Sequence, residues 1–261
     1  MSTSCVSCGE RPPRRLRMVE GGGRDAVMNT NGPMLGPDEI ERAANRLEGS
    51  PPEATLTWAL QTFGARVSLA SSFGAEDMCL LDMLCALTDK PRVFYLDTGL
   101  LFPETYTLIE HCRERYGLQA IRLTPLLTVE EQAETLGPEL WKRAPDRCCG
   151  IRKVEPLTHF LRTEAAWITG IRRDQTPARA RARVVEPDEK FGLVKINPLV
   201  RWTHEDVWGY IRTRDVPYNP LHERGYPSIG CWPCTAPVLA GEDPRSGRWQ
   251  GMDKTECGLH Q

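Results

Sequence analysis

The chain reads as an α/β protein, a parallel sheet with helices on both faces, closed by a C-terminal flap. Three observations predict this. From Pro37 onward, short apolar strand-like runs alternate with longer segments of helical pattern, the order that builds a parallel sheet covered by helices. The 261 residues and 40% hydrophobic content suffice for one large domain with a real core. After about residue 220 the composition turns to Gly, Pro and Arg, which suits an irregular flap. In such sheets, ligands bind beyond the carboxyl ends of the strands.

The elements follow in order. Residues 1–35 carry Cys5-x-x-Cys8, Pro12-Pro13-Arg14-Arg15 and Gly21-Gly22-Gly23, a composition that cannot bury a core. They are expected to be a disordered or irregular extension. Residues 36–220 form the α/β domain, and residues 221–261 its C-terminal segment. Helices are expected over 38–48, 52–63, 76–88, 104–116 and 203–212. Strands are expected over 66–70, 93–96, 120–123, 166–169 and 193–196. Thr203, with Asp206 three residues on, marks a helix start of capping-box type.

Charge and cysteine usage limit the function. With 33 basic and 35 acidic residues the net charge is −2, which argues against a general nucleic-acid or membrane-surface role. No apolar run approaches the ~20 residues of a membrane helix, and no apolar h-region opens the chain. A cytoplasmic protein is expected, so its ten cysteines read as metal-binding, catalytic or buried thiols rather than disulfides. Cys79, Cys85 and Cys112 fall within helices and are expected to pack. Cys5 and Cys8 have zinc-like spacing but no second pair nearby.

Four stretches carry chemistry. Ser71-Ser72-Phe73-Gly74 joins a strand to a helix, and its hydroxyls and free N–H groups make an anion pocket. It is no Walker A loop, since Gly-Lys-Ser/Thr is absent. Leu96-Asp-Thr98-Gly99 follows the next strand and falls beside the first loop. Arg172 and Arg173 directly follow the strand 166–169, and Arg suits bidentate binding of phosphate or sulfate. Arg179, Arg181 and Arg183 fit a solvated basic loop better. The fourth stretch is a cysteine set: Cys148-Cys149 and Cys231-Trp-Pro-Cys234 form two close pairs, and Cys257 stands alone near the end. Neighbouring helical residues differ by ~100° in direction, so Cys148 and Cys149 do not act like a relaxed CxxC. Structural zinc, an iron–sulfur cluster and a redox dithiol at Cys231/Cys234 all remain open. In each case Cys257 is left over, as a nucleophile would be.

These motifs together resemble the assimilatory sulfonucleotide reductases, in the form that reduces adenosine 5′-phosphosulfate (APS). The resemblance rests on Cys-Cys-Gly-Ile-Arg-Lys (148–153), Cys-x-x-Cys (231–234) and Glu-Cys-Gly-Leu-His (256–260). It is supported by Ser-Ser-Phe-Gly-Ala-Glu-Asp (71–77), Leu-Asp-Thr-Gly (96–99), Thr-Gly-Ile-Arg-Arg-Asp-Gln (169–175) and two later stretches (197–208 and 216–222). It runs from about residue 40 to the end.

The resemblance implies a Rossmann-like, adenine-nucleotide hydrolase-like fold related to the ATP pyrophosphatases. Their Ser-Gly-Gly-x-Asp-Ser loop is replaced here, which argues against ATP cleavage. It implies a [4Fe–4S] cluster on Cys148, Cys149, Cys231 and Cys234. Substrate contacts would come from Ser71, Ser72, Phe73, Gly74, Leu96, Thr98, Gly99, Lys153, Arg172, Arg173, Arg245 and Arg248. Lys153 sits four residues after Cys149, so a helix would put both on one face, although Pro156 is expected to interrupt that helix.

The implied chemistry is attack by the Cys257 thiolate on the substrate sulfur, giving S-sulfocysteine and AMP. Thioredoxin or glutaredoxin thiols then release sulfite. His260 stands beside this thiol as an assisting group. The reading includes no nucleic acid and no membrane, and it allows a homo-oligomer. The rival readings are a reductase of the 3′-phosphorylated nucleotide (PAPS), or of both, a zinc-stapled nucleotide-binding or tRNA-modifying protein, and a redox sensor.

Overall fold

A computed structural model of the chain describes residues 35–239, 241–252, 254 and 258–259. Cys5, Cys8, Cys257 and His260 lie outside the described residues.

The chain begins with α1 (Pro37–Leu47) and α2 (Pro52–Phe63), each started by a proline whose missing N–H costs nothing there. Then come β1 (Val67–Ala70), α3 (Ala75–Leu87), β2 (Val93–Leu96), α4 (Pro103–Tyr116) and β3 (Ile121–Leu123). A run of shorter helices follows: α5 (Val129–Leu136), α6 (Leu140–Arg143), α7 (Pro145–Cys149) and α8 (Glu155–Leu161). The rest of the framework is β4 (Ala166–Ile168), β5 (Val185–Asp188), β6 (Leu193–Ile196) and α9 (His204–Arg214). The Thr203 cap is present, with its hydroxyl accepting from the Asp206 N–H at 3.2 Å.

The six strands lie in the order β3-β2-β1-β4-β6-β5. All pairs are parallel except β5 with β6. β1 therefore pairs with β2 on one side and β4 on the other, with Leu69 opposite both Val93 and Ile168. The strand order reverses at this point, and a crevice opens there above the strand ends.

Alternation along the strands divides the core. Leu69, Val93, Tyr95, Ile168 and Ile196 join the larger apolar cluster, with residues of α1, α2, α3, α4 and α9. Phe94, Trp167 and Leu193 face the other way and meet Leu157 and Leu161 of α8. Both faces are thus covered by helices, as expected. Cys79 and Cys112 are fully buried in the larger cluster and Cys85 packs against it.

Two local expectations change. β5 was not anticipated, because Val-Glu-Pro-Asp has a proline and two charges. An edge strand tolerates both, and Pro187 pairs with Val194 at the sheet margin. Pro156 does not interrupt the helix after the cysteines. The backbone widens into a π turn over Gly150–Val154, with the Glu155 N–H reaching the Gly150 carbonyl, and α8 continues directly. Pro156 then sits in the first turn of α8, where its missing N–H is tolerated.

Candidate active site

A cavity of about 940 Å³ lies at the reversal point of the sheet. Its floor is the loop after β1. Ser72 donates both its N–H, at 2.6 Å, and its hydroxyl, at 2.7 Å, to the Asp77 carboxylate at the start of α3. The Phe73 N–H donates to Ser71 Oγ at 3.1 Å. Phe73 itself has φ 57°, rare for a side chain of this size, and is held by burial and an edge-on contact with Tyr95. Burial pushes the Asp77 carboxyl up to about 6, against the opposing pull of the Ser72 hydrogen bonds.

The loop after β2 stands next to it. Buried Asp97 accepts from Tyr106, from the Gly99 N–H and from Arg122, which pairs with it at 2.6 Å. Among the described residues, Thr98 has three partners, one of them the Leu100 N–H, which donates to its Oγ1 at 3.2 Å. Its Oγ1 lies 3.3 Å from Cys231 Sγ in a hydrogen bond, and its carbonyl accepts from Arg152 Nε at 2.5 Å. The backbone reinforces the link, since Leu101 bridges Cys231 and the Trp232 N–H donates to the Leu100 carbonyl.

Ser71, Ser72, Phe73, Gly74, Leu96, Thr98, Lys153, Arg172, Arg173, Arg245 and Arg248 all line this cavity. Gly99 does not. It turns the chain at φ 68°, and a side chain there would meet Arg152 and Val129 at 3.2 Å. Arg172 is buried and already engaged, to Glu76 at 3.0 Å and Asp174 at 2.8 Å. Arg173 pairs with Glu48 at 2.6 Å. Arg179 also lines the cavity, whereas Arg183 turns away to Glu41 on α1.

Beside the main cavity lies a smaller one, of about 20 Å³, walled by Cys148, Cys149, Cys231 and Cys234. Two of these thiols come from the helix end before the π turn, and two from the 3-10 turn at 232–234. Burial pushes Cys148 up to about 11, helped by Cys149, Cys231 and Cys234. Cys234 is likewise pushed up to about 11 by burial and by Cys231 and Cys149, with Lys153 and Arg248 opposing. Cys148 and Cys234 thus resist ionisation in this low-dielectric pocket unless a positive group binds them. The donor set fits a thiolate-bound group. Among the described residues, no three His, Cys, Asp or Glu side chains are arranged to hold a metal ion.

Lys153, Cys231, Arg248 and Trp249 line both cavities. The tail segment makes this contact by folding back. Thr235 bridges Arg248, the Trp249 N–H donates to the Cys234 carbonyl, and Arg248 lies 4.5 Å above the Trp249 ring. Gly230 lets Arg248 approach, since a Cβ there would stand 2.3 Å from a guanidinium nitrogen. Of the two described residues that follow Cys257 in sequence, Leu259 reaches the site. Leu259 lines the main cavity, and the Gly258 carbonyl accepts from Lys190.

Sequence reasoning missed several residues here. Arg152 is 3% exposed and donates to Thr98, Leu127, Thr128 and Gln132 while facing Cys148 and Cys231. Its place inside Cys-Cys-Gly-Ile-Arg-Lys was the available signal. Trp249 is buried between the cavities. His222 lines the main cavity with its Nε2 buried and without a hydrogen-bond partner among the described residues. Burial lowers its pKa, so the ring is neutral near pH 7.

The Ser72 and Phe73 N–H groups expected to be free for an anion are instead taken up by Asp77 and by Ser71 Oγ. Fold and cavity together define a Rossmann-like, nucleotide-binding type of α/β protein with a thiol-rich corner beside its main cavity. The family model for the phosphoadenosine phosphosulfate reductase domain matches residues 66–237, and the chain belongs to that family. A curated relative from Gloeobacter violaceus, named phosphoadenosine 5′-phosphosulfate reductase, is 50% identical over 233 residues, 87% of this chain and 97% of the relative. Adenosine 5′-phosphosulfate reductase 1 of Bacillus subtilis is 50% identical over 209 residues, 80% of this chain and 90% of that one. Among solved structures, the phosphoadenylyl-sulfate reductase of Candida auris, in a phosphate complex, superposes with a TM-score of 0.71 at 31% identity. It covers 79% of this chain and all of its own. An FMN adenylyltransferase of Candida glabrata shares the fold alone, with a TM-score of 0.52 at 16% identity, over 84% of this chain and 75% of that one.

Proposed function

We propose that this chain reduces adenosine 5′-phosphosulfate to sulfite and AMP, using Cys257 as the nucleophile. One observation carries the reading: Lys153 and Arg248 belong at once to the main cavity and to the four-cysteine corner. An anion held in the main cavity is thereby held against that corner. The substrate's phosphosulfate carries two negative charges, and an incoming thiolate repels them. Cations already fixed at the site offset that repulsion. Arg245, on the same tail segment, adds a third. The Ser71–Gly74 loop and the loop at Leu96–Thr98 are assigned to the nucleotide.

Cys148, Cys149, Cys231 and Cys234 would hold a [4Fe–4S] cluster. All four cysteines wall one buried pocket, and the chain belongs to the reductase family; these two facts support the cluster in this reading. When bound, the cluster supplies a fixed charge that orders this corner. Thiols supply both electrons of the reaction.

The steps balance. Cys257 Sγ⁻ bonds to the substrate sulfur as the sulfur–oxygen bond to the phosphate breaks, giving S-sulfocysteine and AMP. A thiolate of the reductant attacks Cys257 Sγ and expels sulfite, leaving a mixed disulfide. The reductant's second thiol resolves that disulfide and restores Cys257. Thioredoxin or glutaredoxin is the reductant in this reading, and His260 is assigned the assisting role. Leu259 at the cavity supports a tail that closes over the nucleotide and later opens to a protein partner. A cytoplasmic site of action fits these thiols, and no helix among the described residues is long and apolar enough to cross a membrane.

A second reading, use of the 3′-phosphorylated nucleotide, is favoured by Arg179 on the cavity wall and by the name of the Gloeobacter violaceus relative. The test is a single turnover without reductant. Protein mixed with adenosine 5′-phosphosulfate should release one AMP per chain and carry one sulfonate on the peptide containing Cys257. AMP release with an unmodified Cys257 would refute the mechanism. Modification only by the 3′-phosphorylated substrate would establish the second reading.

A further inference from the structure

Trp141 stands on the short helix α6, next to α7, which carries Cys148 and Cys149. It forms part of the wall of the four-cysteine cavity. Its ring meets Trp232 edge-on, with centroids 6.2 Å apart and planes at 60°. Trp232 lies between Cys231 and Cys234, so Trp141 packs on the turn that carries the second cysteine pair and shares a cavity wall with the first. Its indole Nε1 is sealed from solvent and has no hydrogen-bond partner among the described residues.

An indole N–H can only donate, and a buried donor is rarely left without an acceptor. The cavity offers few candidates. Leu100 and Pro145 present no free polar side chain, while Arg152, Lys153 and Arg248 are themselves donors. Among the side chains of the wall, the acceptors left are the cysteine sulfurs, joined by the sulfurs of whatever they hold.

We propose that Trp141 is a positioning residue that donates its indole N–H to a sulfur of the cluster–thiolate group bound by the four cysteines. The inference rests on the cluster reading above. Hydrogen bonds to sulfur draw electron density from the iron–sulfur bonds and tune such groups. Trp141 thus sets the electronics of the corner shared with the substrate cations, without touching substrate.

Trp141→Phe keeps an aromatic ring against Trp232 and removes the N–H. Both proteins are purified without oxygen, and iron is counted before resonance Raman spectra are taken in H2O and D2O. The expected result is equal iron, with iron–sulfur stretching bands moved to higher frequency in the variant and a smaller D2O shift. Trp141→His, which restores an N–H on a smaller ring, should recover the D2O sensitivity. Identical bands and an unchanged D2O shift in Trp141→Phe would overturn the inference. So would failure of both variants to hold iron, because a tuning donor is dispensable for assembly where a wall is not. A parent protein without iron is a separate outcome, refuting the cluster reading and this inference with it.

Discussion

Replacing Asp77 by Asn should stabilise the protein at neutral pH, and the gain should shrink as the solution is acidified. The Asp77 carboxylate is buried at the floor of the cavity and accepts two hydrogen bonds from Ser72. Burial lifts its pKa from 3.8 to about 6. A raised carboxyl pKa means that the folded state binds the proton more tightly than the unfolded state. Stability therefore falls as pH rises between the two values and is level above about 7. At pH 7 the ionised carboxylate costs about 3 kcal/mol, and at pH 5 about 1.5 kcal/mol. Asn keeps an oxygen for Ser72 and never ionises, so it removes this penalty. For a chain of this size, 1 kcal/mol moves the thermal midpoint by roughly 2–4 °C. Anaerobic scanning fluorimetry should then find Asp77→Asn melting about 6–12 °C above the parent at pH 7, and about half that at pH 5. A variant that melts below the parent at pH 7, or by a margin that does not depend on pH, would refute the reasoning. It would show that the Ser72 hydrogen bonds outweigh the burial of the charge.

Three further substitutions test the site. Arg152→Met strips buried carbonyls of a charged donor, and should cost about 3–5 kcal/mol, read as a fall of about 10 °C in thermal midpoint. Gly170→Ala would place a Cβ 2.4 Å from Asp77 Oδ1 and 2.9 Å from Glu76 Cβ, so a loss of about 1–3 kcal/mol is expected in thermal unfolding, with weaker nucleotide binding as the loop shifts. Lys153→Ala removes a cation common to both cavities, and should weaken substrate binding by about 10- to 100-fold in titration calorimetry while AMP binding changes less.

Much of this was legible in the chain. The helices at 37–47, 52–63, 75–87 and 103–116 and the strands β1, β2, β4 and β6 begin and end within a residue or two of their apolar patterns, because local propensity and burial agree there. β5 was hidden because its proline and charges are tolerated only at an edge, which is a property of the sheet and not of the segment. The π turn was hidden because its backbone shift accommodates Pro156 within a continuous helix. Most residues named for the cavity do line it, since they follow strands whose ends converge at the reversal point. Gly99 does not, because its turn is needed to admit Arg152. Arg152, Trp141, Trp249 and His222 were not foreseen. Each is a polar or aromatic side chain whose role depends on burial by segments distant in sequence, and no spacing rule encodes that.

The measurement that tests the central claim most directly is sulfite formation from adenosine 5′-phosphosulfate by protein purified without oxygen, with thioredoxin and its reductase supplying thiols. The account predicts sulfite and AMP in equal amounts from this substrate, abolished in Cys257→Ser. No sulfite from an iron-loaded protein, or undiminished sulfite from Cys257→Ser, would contradict it.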